Sequence, residues 1–233
     1  MLEIDGGLCF DPAKIAHHFN EFFTSIASNL VSKLPTSCNM FSVNSSTFQD
    51  YYSSKLTDST KLSLGTVTEE FIEKELNGLN VTKSTGLDNI PARFLKDGAS
   101  VLKKPITHIV NLSIATNTVP NDFKMAKVKP LYKKNKQTDV GNYRPVSILN
   151  IVSKVLEKVI YVQLENYLVQ NSLLYKYQSG FRQSFSTDSC LIHLLDFIKC
   201  QSSRGLYTGI IMLDFQKAFD TMNHTKRNGA GVS

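Results

Sequence analysis

From residue 15 to residue 30 the apolar positions fall on one helical stripe: Ile15, Phe19, Phe22, Phe23, Ile26 and Leu30. Asp11-Pro12 just ahead of them offers an N-cap and a proline for the first helical position, so the pattern predicts an amphipathic helix to about Lys33. The stripe then fades. Ser and Thr fill 12 of the 28 positions from 36 to 63, too little apolar surface to bury, which predicts a linker or poorly ordered loop over 36–65. Periodicity returns in Phe71, Ile72, Leu76 and Leu79, and Thr66-x-x-Glu69 ahead of them reads as a capping box. "KSTGLDNIP" (83–91) is a loop by its Gly, Asp-Asn and Pro content. Two short helices are expected at 91–97 and 101–117, closed by "NTVPND".

The period then shortens. "KMAKVKPLYKK" (124–134) alternates as a strand does, "NKQTDVGN" is a turn, and "YRPVSIL" (143–149) reads as the returning strand. From Asn150 a long helix is expected, with Val152, Leu156, Val159, Ile160, Leu164, Tyr167 and Leu168 on one face. "YQSGFRQSFST" is a loop, after which Ser186 or Thr187 caps a helix bearing Leu191, Leu194, Leu195 and Ile198. "YTGIIMLDF" (207–215) reads as a strand of the kind buried on both faces, ending on Asp214 and turning into a short helix. There are no internal repeats, and the order of elements predicts an α+β chain richer in helix than strand.

Composition sharpens this only in places. The 233 residues, 42% hydrophobic and 20% charged, are ordinary for a chain that builds a core. The net charge of +6 is uneven: residues 121–144 hold seven Lys or Arg against two Asp, an excess of five positive charges. An anionic partner follows from that excess. Cys9, Cys38, Cys190 and Cys200 form no C-x-x-C pair and have no His at zinc spacing, so buried thiols in a reducing, intracellular setting (cytoplasm or nucleus) are expected. Neither a signal peptide nor an apolar run of membrane-spanning length is found.

Two constellations can carry chemistry. A hairpin whose turn carries Lys133, Lys134 and Lys136 and whose return strand opens with Arg144 would make a flexible cationic flap. Arginine forks onto phosphate oxygens and lysine adds point charge, so such a flap suits a triphosphate or a nucleic-acid backbone. The plain alternative is a solvated lysine-rich turn. Asp214, at a strand end, stands where a carboxylate can hold magnesium, which takes oxygen ligands and retains waters and substrate phosphates. Its alternative is to cap the next helix, and Asp220 fits a helix-surface ion pair. Other classes fall away: "GLNVTKS" (78–84) has Thr82 where a phosphate loop needs its second glycine, and the five histidines are scattered, with no acid or cysteine read at metal-ligand spacing.

Read in order, "KSTGLDNIP", "FKMAKVKPLYKK", "NYRPVSILNIVSKVLEKVI", "YQSGFRQSFST" and "IIMLDFQKAFDTMNH" resemble the successive motifs of reverse transcriptases from non-LTR, jockey-like retrotransposons. The resemblance runs from about residue 66 to His224, and "IAHHFNEFFTSIA" is similar to the segment that these elements place between endonuclease and polymerase. It implies a right-hand polymerase, with helix-rich fingers over 66–205 and the start of the palm at 206–224. It implies that Asp214 is the first metal-binding acid, with the Phe215 backbone carbonyl as a further ligand of Mg2+. Phe219 would be the bulky residue beneath the incoming sugar, and Arg144 the arginine on the incoming triphosphate. Arg182 would lie near template and nucleotide, and Lys127, Lys129 and Lys133 are alternatives for a phosphate contact. The partners implied are template RNA, primer DNA and deoxynucleoside triphosphates, and no membrane. The chemistry implied is in-line attack of the primer 3′-OH on the α-phosphate, with two metals stabilising the attacking and leaving oxygens.

The chain departs from the family pattern after "NH". Its last residues read "TKRNGAGVS" where the family continues into a leucine-bearing helix, and the Asp-Asp motif of the later palm hairpin is not in the sequence. The expectation is therefore an incomplete palm without independent polymerase activity. The alternatives are a nucleic-acid-binding remnant and a translated pseudogene fragment.

Overall fold

Asp5 and Gly6 both take positive φ, 51° and 78°, and fold the first nine residues into a hairpin of β1 (Leu2–Ile4) and β2 (Gly7–Cys9), with Ile4 opposite Gly7. This small hairpin is not among the elements expected from the sequence, although Asp-Gly is the residue pair that a two-residue turn of this hand favours. It belongs to a computed structural model that describes residues 1–32 and 61–214. Among these, Met1–Leu164 form one compact unit and the residues from Glu165 onward a second.

In the first unit, α1 (Pro12–Val31) begins as its sequence predicts, with the Ala13 N–H donating to Asp11 Oδ1 at 2.9 Å. Its buried Phe19 meets the Tyr143 ring edge-on at 4.9 Å, and the Glu3 N–H donates to the Thr138 carbonyl at 2.8 Å. The N-terminal elements thereby dock on a second hairpin, β3 (Ala126–Tyr132) and β4 (Tyr143–Leu149).

Four helices build the core: α2 (Glu69–Asn77), α3 (Ala92–Asp97), α4 (Ala99–Ala115) and α6 (Ile151–Gln170), with a single turn, α5 (Asn121–Lys124), where the closing stretch "NTVPND" is expected to give way to a strand. Ile72, Leu76, Val110 and Val159 are wholly buried at its centre, joined by Leu95, Ile106, Val155 and Leu156. Each such side chain contributes roughly 1.5–3 kcal/mol by leaving water. Lys103 Nζ bonds Glu73 Oε2 at 2.7 Å and ties α4 to α2, and this hydrogen bond raises the lysine pKa. Glu70, in the first turn of α2, is held below the usual carboxylate range by its own backbone N–H and by Thr68.

The cap of α2 is Thr68, whose hydroxyl accepts from the Phe71 N–H, and not Thr66. The cause lies in two amide side chains. Asn111 accepts from the Val67 N–H at 2.8 Å and donates to its carbonyl at 3.0 Å, and Gln163 does the same for Gly65 at 2.7 and 3.0 Å. Residues 65–67 are pinned as an extended strip, so helical backbone starts only after them.

The second unit carries α7 (Thr187–Ser203), opened by a reciprocal box in which Ser186 and Ser189 each accept the other's backbone N–H. Its apolar face finds little cover: no α7 residue is buried, and Leu191 and Leu195 are exposed. The buried strand expected over 207–215 is not formed within the described part. Residues 206–214 have no strand partner there, and Ile211, Met212 and Leu213 stand exposed. A strand needs a neighbour to satisfy its N–H and carbonyl groups, and the described residues bring none to this run. The expectation of buried thiols is also corrected: Cys190 and Cys200 are exposed on α7, and Cys9, at the end of β2, is partly so. Cys38, most of the 36–65 linker and the 215–224 part of the last motif lie outside the described residues. No described helix is long and apolar enough to cross a membrane.

Leu76→Ala opens a cavity in the four-helix core and should lower unfolding stability by about 2–5 kcal/mol. Leu195→Ala on the uncovered face of α7 should change it by under about 0.5 kcal/mol. Thermal or urea melts of the two variants check the contrast.

Candidate nucleic-acid interface

The hairpin β3–β4 owes its shape to the turn that closes it. Asp139 Oδ1 accepts from the Gly141 N–H at 2.8 Å and caps a 3-10 turn over Val140–Asn142. The Asn142 side chain donates to the Lys136 carbonyl at 3.0 Å, the Tyr143 hydroxyl to the Gln137 carbonyl at 2.6 Å, and the Tyr132 hydroxyl to the Asn135 carbonyl. The expected flexible flap is thus a tied turn, because its own Asn, Asp and Tyr side chains take up the backbone groups that open loops leave to water.

Register then sorts the side chains. Lys127 lies opposite Ile148, Lys129 opposite Val146, and Leu131 opposite Arg144. Alternate residues of a strand share a face and opposed residues share it too, so Lys127, Lys129 and Arg144 emerge on one side. The Lys133 N–H donates to the Asn142 carbonyl at 2.9 Å, which carries the ladder one residue further and puts Lys133 on that side as well. Arg144 sits diagonally between Lys129 and Lys133. The other side, with Val128, Pro130 and Tyr143, faces α1. All four cations are exposed, and none makes an ion pair with a carboxylate among the described residues.

Beside this face opens a cavity of about 620 Å³. One wall is β3 with Lys127 and Lys129; the other is the 81–91 loop with Lys83, Ser84 and Thr85. The loop is held close by Gly86, which packs against the residue that starts α6. A Cβ there would lie 2.3 Å from Asn150 Oδ1 and 2.7 Å from the Asn150 backbone nitrogen, so only glycine fits. Asn150 is in turn anchored through Nδ2 to the Asp122 carbonyl at 3.3 Å. Lys83, Ser84 and Thr85 are not among the site residues read from the sequence. The lysine charge and the glycine were visible there, but the approach of this loop to β3 was not.

The remaining site residues lie in the second unit or outside the described part. Arg182 is half-buried, its guanidinium 4.2 Å from the centre of the Phe185 ring and its Nη1 donating to the Gln178 carbonyl at 3.3 Å. Asp214 is exposed at the end of the unpaired run. Phe215, Phe219 and Asp220 lie outside the described residues. Asp214 is an oxygen donor of the kind magnesium takes, but a single carboxylate does not make a site. Among the described residues no group of three His, Cys, Asp or Glu side chains could hold a metal ion. The described donors therefore do not by themselves fit magnesium.

In chain order the cationic hairpin is followed by a long helix, a Gly-Phe-Arg loop and an apolar run ending on Asp214. Residues 132–228 match the family model described as "Reverse transcriptase (RNA-dependent DNA polymerase)". The chain carries a reverse transcriptase segment of the non-LTR, jockey-like kind. It is 30% identical over 167 residues, 70% of its length, to the "RNA-directed DNA polymerase from mobile element jockey" of Drosophila melanogaster, and covers 18% of that protein. With the "Probable RNA-directed DNA polymerase from transposon BS" of the same species it shares 29% over 163 residues, 67% of this chain and 17% of the relative. A "Retrovirus-related Pol polyprotein from type-1 retrotransposable element R1" of Bradysia coprophila is 25% identical over 144 residues, 61% of this chain and 14% of the relative. The matched region spans less than a fifth of each of these relatives.

Gly86→Ala should displace the 83–85 wall from β3, since the obstructing atoms include Asn150 backbone. A stability loss of about 1–3 kcal/mol is expected, with Ser84→Ala near neutral as its control. Denaturant melts measure both.

Proposed function

We propose that the chain supplies the fingers, and the first palm strand, of an RNA-directed DNA polymerase. On this reading residues 1–35 are the helical linker segment preceding the polymerase, residues 66–205 are mostly fingers, and 206–224 is the start of the palm. The observation that carries the reading is the β3–β4 register, which gathers Lys127, Lys129, Lys133 and Arg144 on one exposed face. Cations gathered on one face repel one another, and an anion in front of the face relieves that repulsion. A triphosphate or a polynucleotide backbone meets that need.

The roles follow from chemistry. Arg144 forks onto two oxygens of an incoming deoxynucleoside triphosphate, and the flanking lysines neutralise the charge that passes to the leaving pyrophosphate. Arg182 positions the 178–185 loop by stacking on Phe185 and bonding the Gln178 carbonyl, and faces template and nucleotide from there. By the family resemblance Asp214 and the Phe215 carbonyl would be oxygen donors to magnesium once further acids join them, and Phe219 would be the residue that excludes a 2′-OH. The intracellular compartment, cytoplasm or nucleus, is part of this proposal.

A second reading rests on the same cationic face: the chain holds nucleic acid without copying it. Primer extension on an RNA template with magnesium and deoxynucleotides separates the two. This 233-residue chain, offering one carboxylate of the set, is expected to show no incorporation above background; robust extension would refute that inactivity.

Binding itself is predicted under both readings. Lys127→Glu combined with Lys129→Glu should weaken single-stranded RNA binding at least tenfold, about 1.4 kcal/mol. The slope of log affinity against log salt should flatten by about 0.7 for each phosphate that the variant no longer neutralises. Fluorescence anisotropy at several salt concentrations measures both, and an unchanged slope would remove the hairpin from the interface.

A further inference from the structure

The 175–187 loop of the second unit holds aromatic rings and cations in alternation, and most of those rings point outward. Tyr175 and Tyr177 are exposed and meet edge-on at 5.6 Å, with Lys176 Nζ 4.7 Å from the Tyr177 ring centre. Phe181 is 92% exposed, the most open phenylalanine among the described residues. Its backbone sits at φ 59°, a region that a bulky side chain avoids, and Ser184 at 65° holds a second strained position in the same loop. Hydrogen bonds keep that shape: the Gln178 N–H donates to the Tyr175 carbonyl at 2.9 Å, Arg182 holds the Gln178 carbonyl, and the Gln178 amide donates to the Gly180 carbonyl at 3.1 Å. Phe185 is covered by the Arg182 guanidinium, whereas Phe181 is left open. A cavity of about 390 Å³ adjoins Phe181 and Phe185, with the hydroxyls of Ser179, Ser186 and Thr187 on its border.

A phenyl ring held in a strained backbone and turned to solvent costs the fold twice, and the loop recovers neither cost through packing of its own. Residues 171–187 contain Lys176 and Arg182 and no acid, the next being Asp188 in the first turn of α7, so the loop itself carries a net positive charge. Flat apolar faces, interleaved cations and hydroxyls at the margin match an unpaired nucleobase with its phosphate: the base stacks, the cations hold the backbone and the hydroxyls meet base edges. A protein partner with an apolar surface would bury the rings but gain nothing from the cations.

We propose that this loop is a stacking platform for unpaired bases of a single-stranded nucleic acid, with Phe181 the ring that a base covers. The inference deepens the polymerase reading and rests on its nucleic-acid partner, but it is tested by binding alone. The chain contains no tryptophan, so Phe181→Trp introduces a single indole at the proposed contact. Titration with an oligouridylate should quench that indole. An abasic oligomer of equal length and charge should leave it bright and bind roughly 5- to 100-fold more weakly, the fold-change expected when one base stack is removed. Phe181→Asn keeps a residue that tolerates positive φ and removes only the ring, and should weaken oligouridylate binding by the same factor while the melting curve stays in place. The platform is overturned if Phe181→Asn binds within about twofold of the parent chain, or if abasic and normal strands bind alike. The nucleic-acid reading itself fails separately, if the parent chain binds no oligomer in low salt.

Discussion

The register in which Leu131 faces Arg144 decides what the β3–β4 hairpin presents. Side chains in a strand alternate between faces, so a slip by one residue would turn Lys127, Lys129 and Lys133 towards α1 and Val128 and Pro130 away from it. Two things hold the register. The Tyr132 and Tyr143 rings meet at 5.7 Å on the α1 side, where Phe19 covers Tyr143. The Asn- and Asp-rich turn closes the ladder at a fixed length. The cationic face is thus a consequence of aromatic packing on the opposite face.

The hairpin in turn depends on the helices. β4 passes through Asn150 straight into α6, whose first turns, with Ile151, Val155 and Leu156, lie in the four-helix core. That core fixes where the strand ends, and Gly86 lets the 81–91 loop settle against the same joint. The two walls of the 620 Å³ cavity therefore share one anchor. Asn111 and Gln163 extend the scheme by pairing with the backbone of Val67 and Gly65, so that an otherwise unpaired strip lies along the helices.

Local chemistry made much of this legible in the sequence. Asp11-Pro12, the alternation of 126–132 and the Ser186 cap are read within a few residues, and all three stand as expected. What the sequence hid is non-local. Thr66 and Thr68 offer similar caps, and only the hold of Asn111 on Val67 decides for the later one. "GIIMLD" has the composition of a buried strand, but composition says that a segment favours cover and not what covers it; the uncovered face of α7 is the same case. The site was legible as a set of charges, since Arg144 and the lysines stand out by sequence. That Lys83, Ser84 and Thr85 form a facing wall follows from Gly86 meeting Asn150 across 64 positions (150 − 86), a contact no local pattern encodes.

One pair in the hairpin has a further consequence. Pro130 lies opposite Pro145, and since the Lys133–Asn142 pair is hydrogen-bonded, alternation places the prolines at a position whose nitrogens point outward. Neither proline removes a bond between β3 and β4. Each instead deletes a donor from the outer edge of its own strand, midway along. A third strand from another molecule would meet that gap on either side. A two-stranded sheet with two open edges is ordinarily an invitation to stack into larger assemblies, and here the invitation is withdrawn by two residues that cost the hairpin itself nothing.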